Sequence, residues 1–239
     1  MVSVFLLRRR YSLGECGYFK GFTDWHCHII PGVDDGLQSE RDLNTVLRAY
    51  ERLNVKEVWM TPHIMEDTPN ETLTLKKHFT LIDFGYEGSL TLRLGAENMM
   101  DHTLHDRLQQ NDLLPIGESG LLVETSYFTP PILFHETLER IVDMGYTPVL
   151  AHPERYVYMG EADYGQLKDE GVYLQLNLPS LGGYYGKLAQ KKAEELLRLG
   201  WYDLAGTDLH TVEMLSKLTS LKVSKTKLAS LEQLRENRI

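Results

Sequence analysis

Cysteine is scarce in this chain, which has only Cys16 and Cys27 among its 239 residues. Two cysteines cannot build a disulfide framework, so the composition predicts a reduced, intracellular protein. Neither cysteine has an arginine six positions later, because Phe22 and Val33 stand there. This spacing excludes cysteine-based phosphate chemistry, in which a thiolate and a guanidinium surround one phosphate.

Long apolar runs are also missing. The run Met1–Leu7 is followed by three arginines, Arg8 to Arg10, whereas a secretory signal carries its positive charges before a longer apolar segment. No stretch approaches the roughly 20 apolar residues of a membrane helix. We therefore expect a cytoplasmic protein without stable membrane insertion, in which residues 1–21 form an N-terminal extension.

Positive charge is in deficit, since 25 Lys and Arg face 34 Asp and Glu and leave a formal net charge of −9. Nucleic-acid binding requires clustered Lys and Arg, so this balance argues against a nucleic-acid partner. It argues equally against a phosphorylated substrate, unless something other than side chains supplies the positive charge.

What the sequence does contain is an alternation of short apolar runs with amphipathic stretches. With 42% hydrophobic residues, the chain can bury one large core, and we expect residues 22–239 to form a single domain. Strands are predicted at residues 22–28, 57–61, 90–95, 120–125, 148–152, 172–176 and 202–206. Helices are predicted at residues 39–53, 71–83, 102–110, 132–144, 164–170, 188–199 and 223–235.

This alternation predicts an α/β protein with a parallel sheet and helices outside it. Seven strand–helix units in one domain favour a distorted TIM-like (βα)7 barrel, whose site should lie at the C-terminal ends of the strands. A doubly wound open sheet is the alternative, but the glycine-rich phosphate loop of that fold is missing.

The first predicted strand ends in His26-Cys27-His28. Residues two apart in a strand point to the same face, so both imidazoles can reach one metal ion. The run Asp34-Asp35-Gly36 follows and is ordinarily a solvated turn. Beside the two histidines, it becomes a source of a carboxylate ligand.

The other strand ends carry metal-competent side chains too. Taken singly, each has a structural explanation, such as a loop histidine or a helix cap. Together they end six of the seven predicted strands, where a barrel has its site. The candidate ligands are His26, His28, Asp35, His63, Glu97, Glu124, His152, Asp208 and His210.

These nine candidates exceed the three or four protein ligands of a single zinc ion. They therefore predict two or three metal ions that share bridging carboxylates. Imidazole and carboxylate ligands without thiolate suit Mn, Fe or Zn, and the sequence does not choose further.

The motifs resemble those of the polymerase-and-histidinol-phosphatase (PHP) family. More closely, they are similar to the bacterial CpsB/CapC-type manganese-dependent protein-tyrosine phosphatases of capsule and exopolysaccharide synthesis. The resemblance runs from Phe22 to about His210. Its most specific pieces are residues 24–28 with 33–36, residues 151–156 and residues 207–210.

The resemblance implies a trinuclear metal centre in which the nine candidates are the ligands. Manganese is the expected metal, with Fe, Zn or Mg as alternatives. Arg155 would bind the substrate phosphate, and Arg155, Asp208 and His210 would be the catalytic residues. The family often has a second phosphate-binding arginine after the final Asp-x-His. That stretch holds Lys217 but no arginine here, so either Lys217 replaces it or one phosphate contact is absent.

The resulting hypothesis is hydrolysis of phosphotyrosine by a metal-activated hydroxide. The partner would be a phosphotyrosine protein, such as the C-terminal tail of a membrane-associated tyrosine kinase. Metal ions would supply the positive charge that the acidic chain lacks. Arg155 would add a planar clamp for two phosphate oxygens, the alternative being an ion pair with Glu154 or Glu161. A proton for the leaving group could come from the neighbourhood of His63 or His210.

Three other functions remain open. One is a PHP phosphatase for a small phosphomonoester such as histidinol phosphate. A metal-dependent amidohydrolase also begins with His-x-His, but it usually needs a bridging lysine and does not explain the Asp34-Asp35-Gly36 turn. A non-catalytic regulator that binds a phosphorylated kinase tail is disfavoured by the intact ligand set.

Two further groups of side chains are assigned from their positions. Six aromatic residues follow predicted strand ends and could wall a pocket for an aromatic ring, although loop tyrosines are more often packing residues: Tyr127, Phe128, Tyr156, Tyr158, Tyr184 and Tyr185. Four histidines fall on predicted helices and are expected at the surface: His78, His102, His105 and His135.

Overall fold

The computed structural model describes residues 9–239. The apolar run Met1–Leu7 lies outside the described residues. The strands are β1 Arg10–Ser12, β2 Thr23–Cys27, β3 Glu57–Met60, β4 His63–Ile64, β5 Thr91–Leu94, β6 Glu97–Met99, β7 Gly120–Glu124, β8 Thr147–Ala151, β9 Tyr173–Asn177, β10 Leu204–Gly206 and β11 Lys222–Ser224. The helices are α1 Glu40–Arg52, α2 Thr72–Gly85, α3 His102–Gln110, α4 Phe134–Asp143, α5 Glu161–Asp169, α6 Gly186–Leu199, α7 Val212–Thr219 and α8 Lys225–Arg235, and short 3-10 helices cover Pro153–Arg155 and Leu178–Gly182.

Every predicted strand and helix is present, with ends that move by three residues at most. Helix α1 begins where expected because the Ser39 hydroxyl accepts a hydrogen bond from the Asp42 amide at 3.1 Å. Helix α5 begins earlier than predicted, since the Asp163 carboxylate accepts from the Gly160 amide at 2.7 Å and stabilises an extra turn. No helix in residues 9–239 is both long and apolar enough to cross a membrane.

Two predicted strands are interrupted close to their ends. The strand that begins at Glu57 stops at Met60 and resumes as β4, because Pro62 has no amide hydrogen to continue the ladder. The next strand likewise stops at Leu94 and resumes as β6. His63 and Glu97, which were expected after strand ends, therefore open β4 and β6 and pair with each other in register.

The strands that carry the predicted site are parallel. One sheet has the order β10-β9-β8-β7-β6-β4 and the other has the order β2-β3-β5. The two sheets also meet beyond β10, where the Thr207 amide donates to the His26 carbonyl at 3.1 Å and the His28 amide donates to the Leu209 carbonyl at 2.9 Å. The expected α/β fold is confirmed, and its strand ends converge.

The two ends of the described chain meet in a pairing that the sequence did not indicate. Strand β1 pairs antiparallel with β11, so that Ser12 lies opposite Lys222. Helix α7 was also missed. It begins because the Thr211 hydroxyl accepts from the Met214 amide at 3.2 Å, which is a normal N-terminal cap.

The alternation of side chains along each strand separates two cores. In β7, Val123 packs in the large cluster under the helices, whereas Leu122 packs with Trp25 and Trp59 in an inner cluster between the strands. The two indoles stack with their ring centroids 5.8 Å apart. Glu124 is two residues after Leu122 and shares its face. The inner cluster therefore forms an apolar base beneath the polar strand ends.

Candidate metal centre

His26 at the end of β2 and His28 just after the strand each point one nitrogen into a common space. His26 Nδ1 lies 2.9 Å from Gln175 Oε1, and His28 Nδ1 lies 2.8 Å from Asp34 Oδ2. Both partners accept hydrogen bonds, so each Nδ1 donates to its partner and each Nε2 is the nitrogen left to face the cluster. The two Nε2 atoms are 2.9 Å apart.

Two buried carboxylates face these nitrogens. Glu97 Oε2 is 3.1 Å from Nε2 of His26 and 3.1 Å from Nε2 of His28. The other oxygen of Glu97 is 2.9 Å from His152 Nε2. Asp208 Oδ1 lies 3.6 Å from His26 Nε2 and 3.5 Å from His28 Nε2. These nitrogen and oxygen atoms converge on one region, as ligand atoms do around a bound cation.

The remaining candidates lie on the open side of this cluster. His63 Nδ1 is 3.1 Å from Glu124 Oε1, which is buried. On the other side of the ring, His63 Nε2 is 3.5 Å from Asp35 Oδ1, and His210 Nε2 is 3.3 Å from the same oxygen. The Asp35 side chain is 73% exposed, so this edge opens to solvent.

The structure brings all nine sequence-predicted residues together. Eight of them form three overlapping groups whose ligand atoms lie within 4.8 Å of one another. His152, the ninth, contacts Glu97 and also lies 3.7 Å from Glu124 Oε2. The groups are His28-Asp35-His63-His210, His26-His28-Glu97-Asp208 and His63-Glu97-Glu124.

Two of these residues have a backbone conformation that is unfavourable for any residue other than glycine. His152 has φ of 35° and Asp208 has φ of 49°, which is the left-handed region that favours glycine. Each follows a strand end closely and turns its side chain back into the cluster. Such positions cost on the order of 1–3 kcal/mol and concentrate at functional sites.

Charges within the cluster reinforce one another. Burial lowers the pKa of His26, but the Glu97 and Asp208 carboxylates outweigh it and raise the pKa to about 9. Burial likewise lowers the pKa of His63, and Glu97 and Glu124 raise it to about 10. Burial opposes ionisation of Glu97, yet His26 and His63 hold its pKa well below its ordinary value. Without cations, the carboxylates therefore keep protons on the rings.

The residues present fit divalent cations. The Nε2 atoms of His26 and His28 face each other, and only one proton can lie between them. Two nitrogen lone pairs that face each other are an unfavourable arrangement unless a proton or a cation lies between them. Buried carboxylates in contact with neutral imidazole lone pairs form the mixed nitrogen and oxygen set that Mn, Fe and Zn accept. The bonds to Gln175 and Asp34 orient the ligand rings from behind, as in known metal sites.

Two supporting residues, Gln175 and Asn177, were missed by the sequence analysis, and two others, Asp34 and Tyr185, were named there without this role. Asn177 Nδ2 and the Tyr185 hydroxyl donate to Asp208 Oδ2 at 2.6 Å and 3.0 Å. A signal existed for two of them. Gln175 is a polar residue inside an otherwise apolar strand, and Asn177 ends the one predicted strand to which no ligand had been assigned.

Arg155 lies beside the cluster, at the wall of a cavity of about 250 Å³ that the candidate ligands share. Its Nη1 donates to Asp208 Oδ2 at 3.0 Å. Its guanidinium lies 4.2 Å from the ring centroid of Tyr127 and 4.1 Å from that of Tyr185. The alternative ion pair with Glu154 or Glu161 is wrong, because Asp208 is the carboxylate that Arg155 meets.

The aromatic residues expected at the pocket divide into two groups. Tyr127, Tyr184 and Tyr185 line the cavity. Phe128 is 73% exposed, and Tyr156 is fully buried behind Tyr127. The sixth, Tyr158, contacts the Thr125 hydroxyl through its own hydroxyl at 2.6 Å.

The other candidates lie away from the cavity. Lys217 does not line it, and its Nζ is 5.0 Å from the Tyr184 ring centroid. His78, His102 and His135 are exposed as expected, whereas His105 is half-buried. His105 is thus a surface residue that the protein partly covers.

The fold is parallel α/β, and histidines and carboxylates gather at the C-terminal ends of its strands. These two features define the class of protein: an α/β protein with a multi-ligand site for divalent cations. Residues 22–226 match the family described as capsular polysaccharide synthesis, CpsB/CapC. The chain belongs to this family, and the resemblance stated from the sequence is confirmed.

Similar proteins agree with this assignment. The tyrosine-protein phosphatase CpsB of Streptococcus pneumoniae is 28% identical over 203 residues, covering 80% of this chain and 83% of that protein. The tyrosine-protein phosphatase YwqE of Bacillus subtilis is 24% identical over 197 residues, with coverages of 80% and 78%. One chain from the crystal structures of YwqE and CpsB, described as metal-dependent tyrosine phosphatases, has a TM-score of 0.74 at 24% identity and covers 91% of this chain and 95% of its own. This last match shows a shared fold.

Proposed function

We propose that this protein is a metal-dependent protein-tyrosine phosphatase. The observation that carries the proposal is the convergence of nine histidines and carboxylates in one cluster, six of which line a single cavity. Membership of the CpsB/CapC family and similarity to curated tyrosine-protein phosphatases support it. The cytoplasmic location expected from the sequence stays a prediction.

We propose the nine converging residues as ligands of three divalent cations, with manganese as the preferred metal. Three overlapping groups of ligand atoms support this number. Glu97 contacts His26, His28, His63 and His152, so both of its oxygens would be available as ligands to these cations. Asp35, His63 and His210 would hold the cation nearest to solvent.

We further propose that the two sheets form one distorted seven-stranded barrel, and that residues 22–239 are one domain. The hydrogen bonds from Thr207 to His26 and from His28 to Leu209 support closure at β2 and β10. Pairing of Glu97 with His63 supports closure through β4 and β6. Residues 10–12 of the expected extension are attached through the pairing of β1 with β11.

Bound divalent cations would neutralise the phosphate charge and lower the pKa of a bound water, which is the chemistry that phosphate hydrolysis needs. Arg155 would bind the phosphate. It uses Nη1 on Asp208, which leaves most of its five N–H groups for phosphate oxygens. Tyr127 and Tyr185 hold the guanidinium plane between them and fix its direction.

The protein would act on the phosphotyrosine of a protein partner, and we propose a kinase tail in capsule synthesis as that partner. The rings of Tyr127, Tyr184 and Tyr185 give the cavity an aromatic wall, which suits a phenyl phosphate better than an aliphatic one. A tyrosinate leaves readily because the pKa of its phenol is about 10. A proton, where one is required, would come from the neighbourhood of His63 or His210.

The test combines metal content with substrate choice. Purified protein loaded with Mn should contain about three cations per chain by mass spectrometry. It should release phosphate from a phosphotyrosine peptide much faster than from histidinol phosphate, and chelation should stop the release. Faster release from histidinol phosphate, or no release from a phosphotyrosine peptide by the Mn-loaded protein, would contradict the proposal.

Arg155→Lys tests the phosphate contact separately. Lysine keeps the charge but loses the planar fork, so kcat/KM should fall by about 10²-fold while the metal content stays the same. Arg140→Lys on α4, well away from the lining of the cavity, is the matched control. An unchanged kcat/KM in Arg155→Lys would remove Arg155 from the substrate site.

A further inference from the structure

A second groove, of about 900 Å³, lies directly beside the cavity of the candidate metal centre. Tyr184 and Met214 line both, so the two spaces adjoin each other. The groove runs between the start of α6 on one side and α7 with β1 and β11 on the other. We call it the basic groove, because its charged lining residues are Arg10, Lys217 and Lys222.

The basic groove has an apolar floor and a charged rim. Leu181, Met214 and Leu218 are at most 4% exposed and form the floor. Lys217 and Lys222 are exposed on the rim. A peptide in an extended conformation fits the basic groove, because its backbone can lie along the apolar floor while its side chains reach the charged rim.

The charge of the basic groove is opposite to that of the whole chain. The chain carries a formal net charge of −9, yet no Asp or Glu lines this groove among the described residues. In residues 9–239, the lysine ion pairs involve Lys168 and Lys227 rather than Lys217 or Lys222. Arg10 likewise meets no carboxylate within that part of the chain. These three cations are available to an external anion.

We propose that the basic groove binds an acidic segment of the phosphotyrosine protein, next to the phosphotyrosine in the cavity. The proposal rests on the proposed function. Because Tyr184 and Met214 line both spaces, a peptide whose phosphotyrosine enters the cavity has its neighbouring residues beside the groove. Carboxylates of that segment meet Arg10, Lys217 and Lys222, and this contact selects substrates by the residues that flank the phosphotyrosine.

Two phosphotyrosine peptides of equal length test the proposal, one with three glutamates beside the phosphotyrosine and one with three glutamines. Versions with the glutamates before and after the phosphotyrosine identify the direction of the chain. We expect a roughly 3- to 10-fold higher kcat/KM for one acidic peptide, which is the range for a few exposed ion pairs. This preference should shrink between low and high salt as the charges are screened.

The variant Arg10→Gln/Lys222→Gln should lose the preference and keep its rate on a small aryl phosphate. Lys76→Gln/Lys77→Gln on α2 removes the same charge from exposed positions outside the basic groove and should keep the preference. If both double variants lose it equally, net charge rather than the groove selects the peptide, and the inference is overturned.

Other outcomes separate this inference from the proposed function. Equal rates on acidic and neutral peptides in the wild-type protein overturn the groove inference and leave the phosphatase proposal intact. No release from any phosphotyrosine peptide overturns the phosphatase proposal itself. Binding to phosphatidylserine vesicles that Arg10→Gln/Lys222→Gln abolishes, without any peptide preference, would assign the basic groove to a membrane surface instead.

Discussion

Two buried carboxylates lie on opposite sides of His26 and behave differently. Asp24 accepts hydrogen bonds from the Thr207 amide at 2.8 Å, the Thr207 hydroxyl at 2.7 Å and the Tyr50 hydroxyl at 2.7 Å. Asp208 instead faces His26 at 3.6 Å and Arg155 at 3.0 Å. Asp24 has only neutral donors in these bonds, whereas Asp208 has a cation and rings that can become cations in addition to the neutral donors Asn177 and Tyr185.

The pKa values reflect this difference. Burial raises the pKa of Asp24, and the hydrogen bonds from Thr207 and Tyr50 only partly oppose it. Burial acts on Asp208 in the same direction, but His26 and His210 outweigh it and lower the pKa. Neutral donors are sufficient for a structural link between β2 and the segment after β10, whereas a carboxylate that must stay ionised for cations needs charged neighbours.

Among the variants that test this comparison, Glu97→Gln should have the largest effect. This change removes the charge that contacts four imidazoles, so phosphotyrosine hydrolysis should fall by about 10²- to 10³-fold and the metal content should drop. Phosphate release and mass spectrometry of the bound metal measure both effects. The exposed Glu136→Gln on α4 serves as the control. Full activity with a full metal content would show that Glu97 is not a ligand.

Asp24→Ala should act on folding rather than on the cations. It removes the acceptor of three buried hydrogen bonds, from the Thr207 amide and from the Thr207 and Tyr50 hydroxyls, so the free energy of unfolding should fall by about 3 kcal/mol. Urea denaturation should give the same loss with Mn and with chelator. A loss that appears only with Mn would place Asp24 in the metal centre and erase the contrast with Asp208.

Gln175→Ala tests a residue that orients a proposed ligand ring without being a proposed ligand itself. It removes the acceptor that holds His26 Nδ1, so the affinity for Mn should fall by about 10- to 100-fold. The rate at saturating Mn should change little. Titration of the metal-free protein measures the affinity, and Gln175→Glu should restore it because a carboxylate accepts the same proton. Failure of Gln175→Glu to restore affinity would count against this role.

The smallest expected effect is a pH dependence of the metal-free protein. The pKa values of His26 and His63 in the folded state are about 9 and about 10, above the ordinary value of about 6.5. Their protonation therefore stabilises the fold fully below pH 6.5, and this stabilisation is lost as the pH rises through 9 to 10. The Tm of chelated protein should fall over that window.

Mn-loaded protein is the control for this measurement, because bound cations displace the ring protons. Its Tm should fall less than that of the chelated protein between pH 6.5 and 10. Parallel decreases in the two samples would show that other groups, such as exposed lysines, cause the change.

The sequence predicted seven strands, seven helices and all nine converging residues, because each depends on local pattern or on the rule that barrel sites lie at strand ends, but it missed α7. It did not predict the breaks that produce β4 and β6, since these depend on how Pro62 and Gly95 meet neighbouring strands. Asp34 was left out because its role depends on a histidine ring that turns toward it. The pairing of β1 with β11 joins segments about 210 residues apart, and no local signal reports such contacts.

The left-handed backbone at His152 and Asp208 has a consequence for engineering. A glycine at either position would relax the chain and make the empty protein harder to melt, while removing a side chain that the cations need. Selection for heat resistance alone would therefore drift toward inactive sequences at these two sites. A screen for heat-stable variants of this protein should therefore keep both residues unchanged, or measure the catalytic activity as well as the Tm.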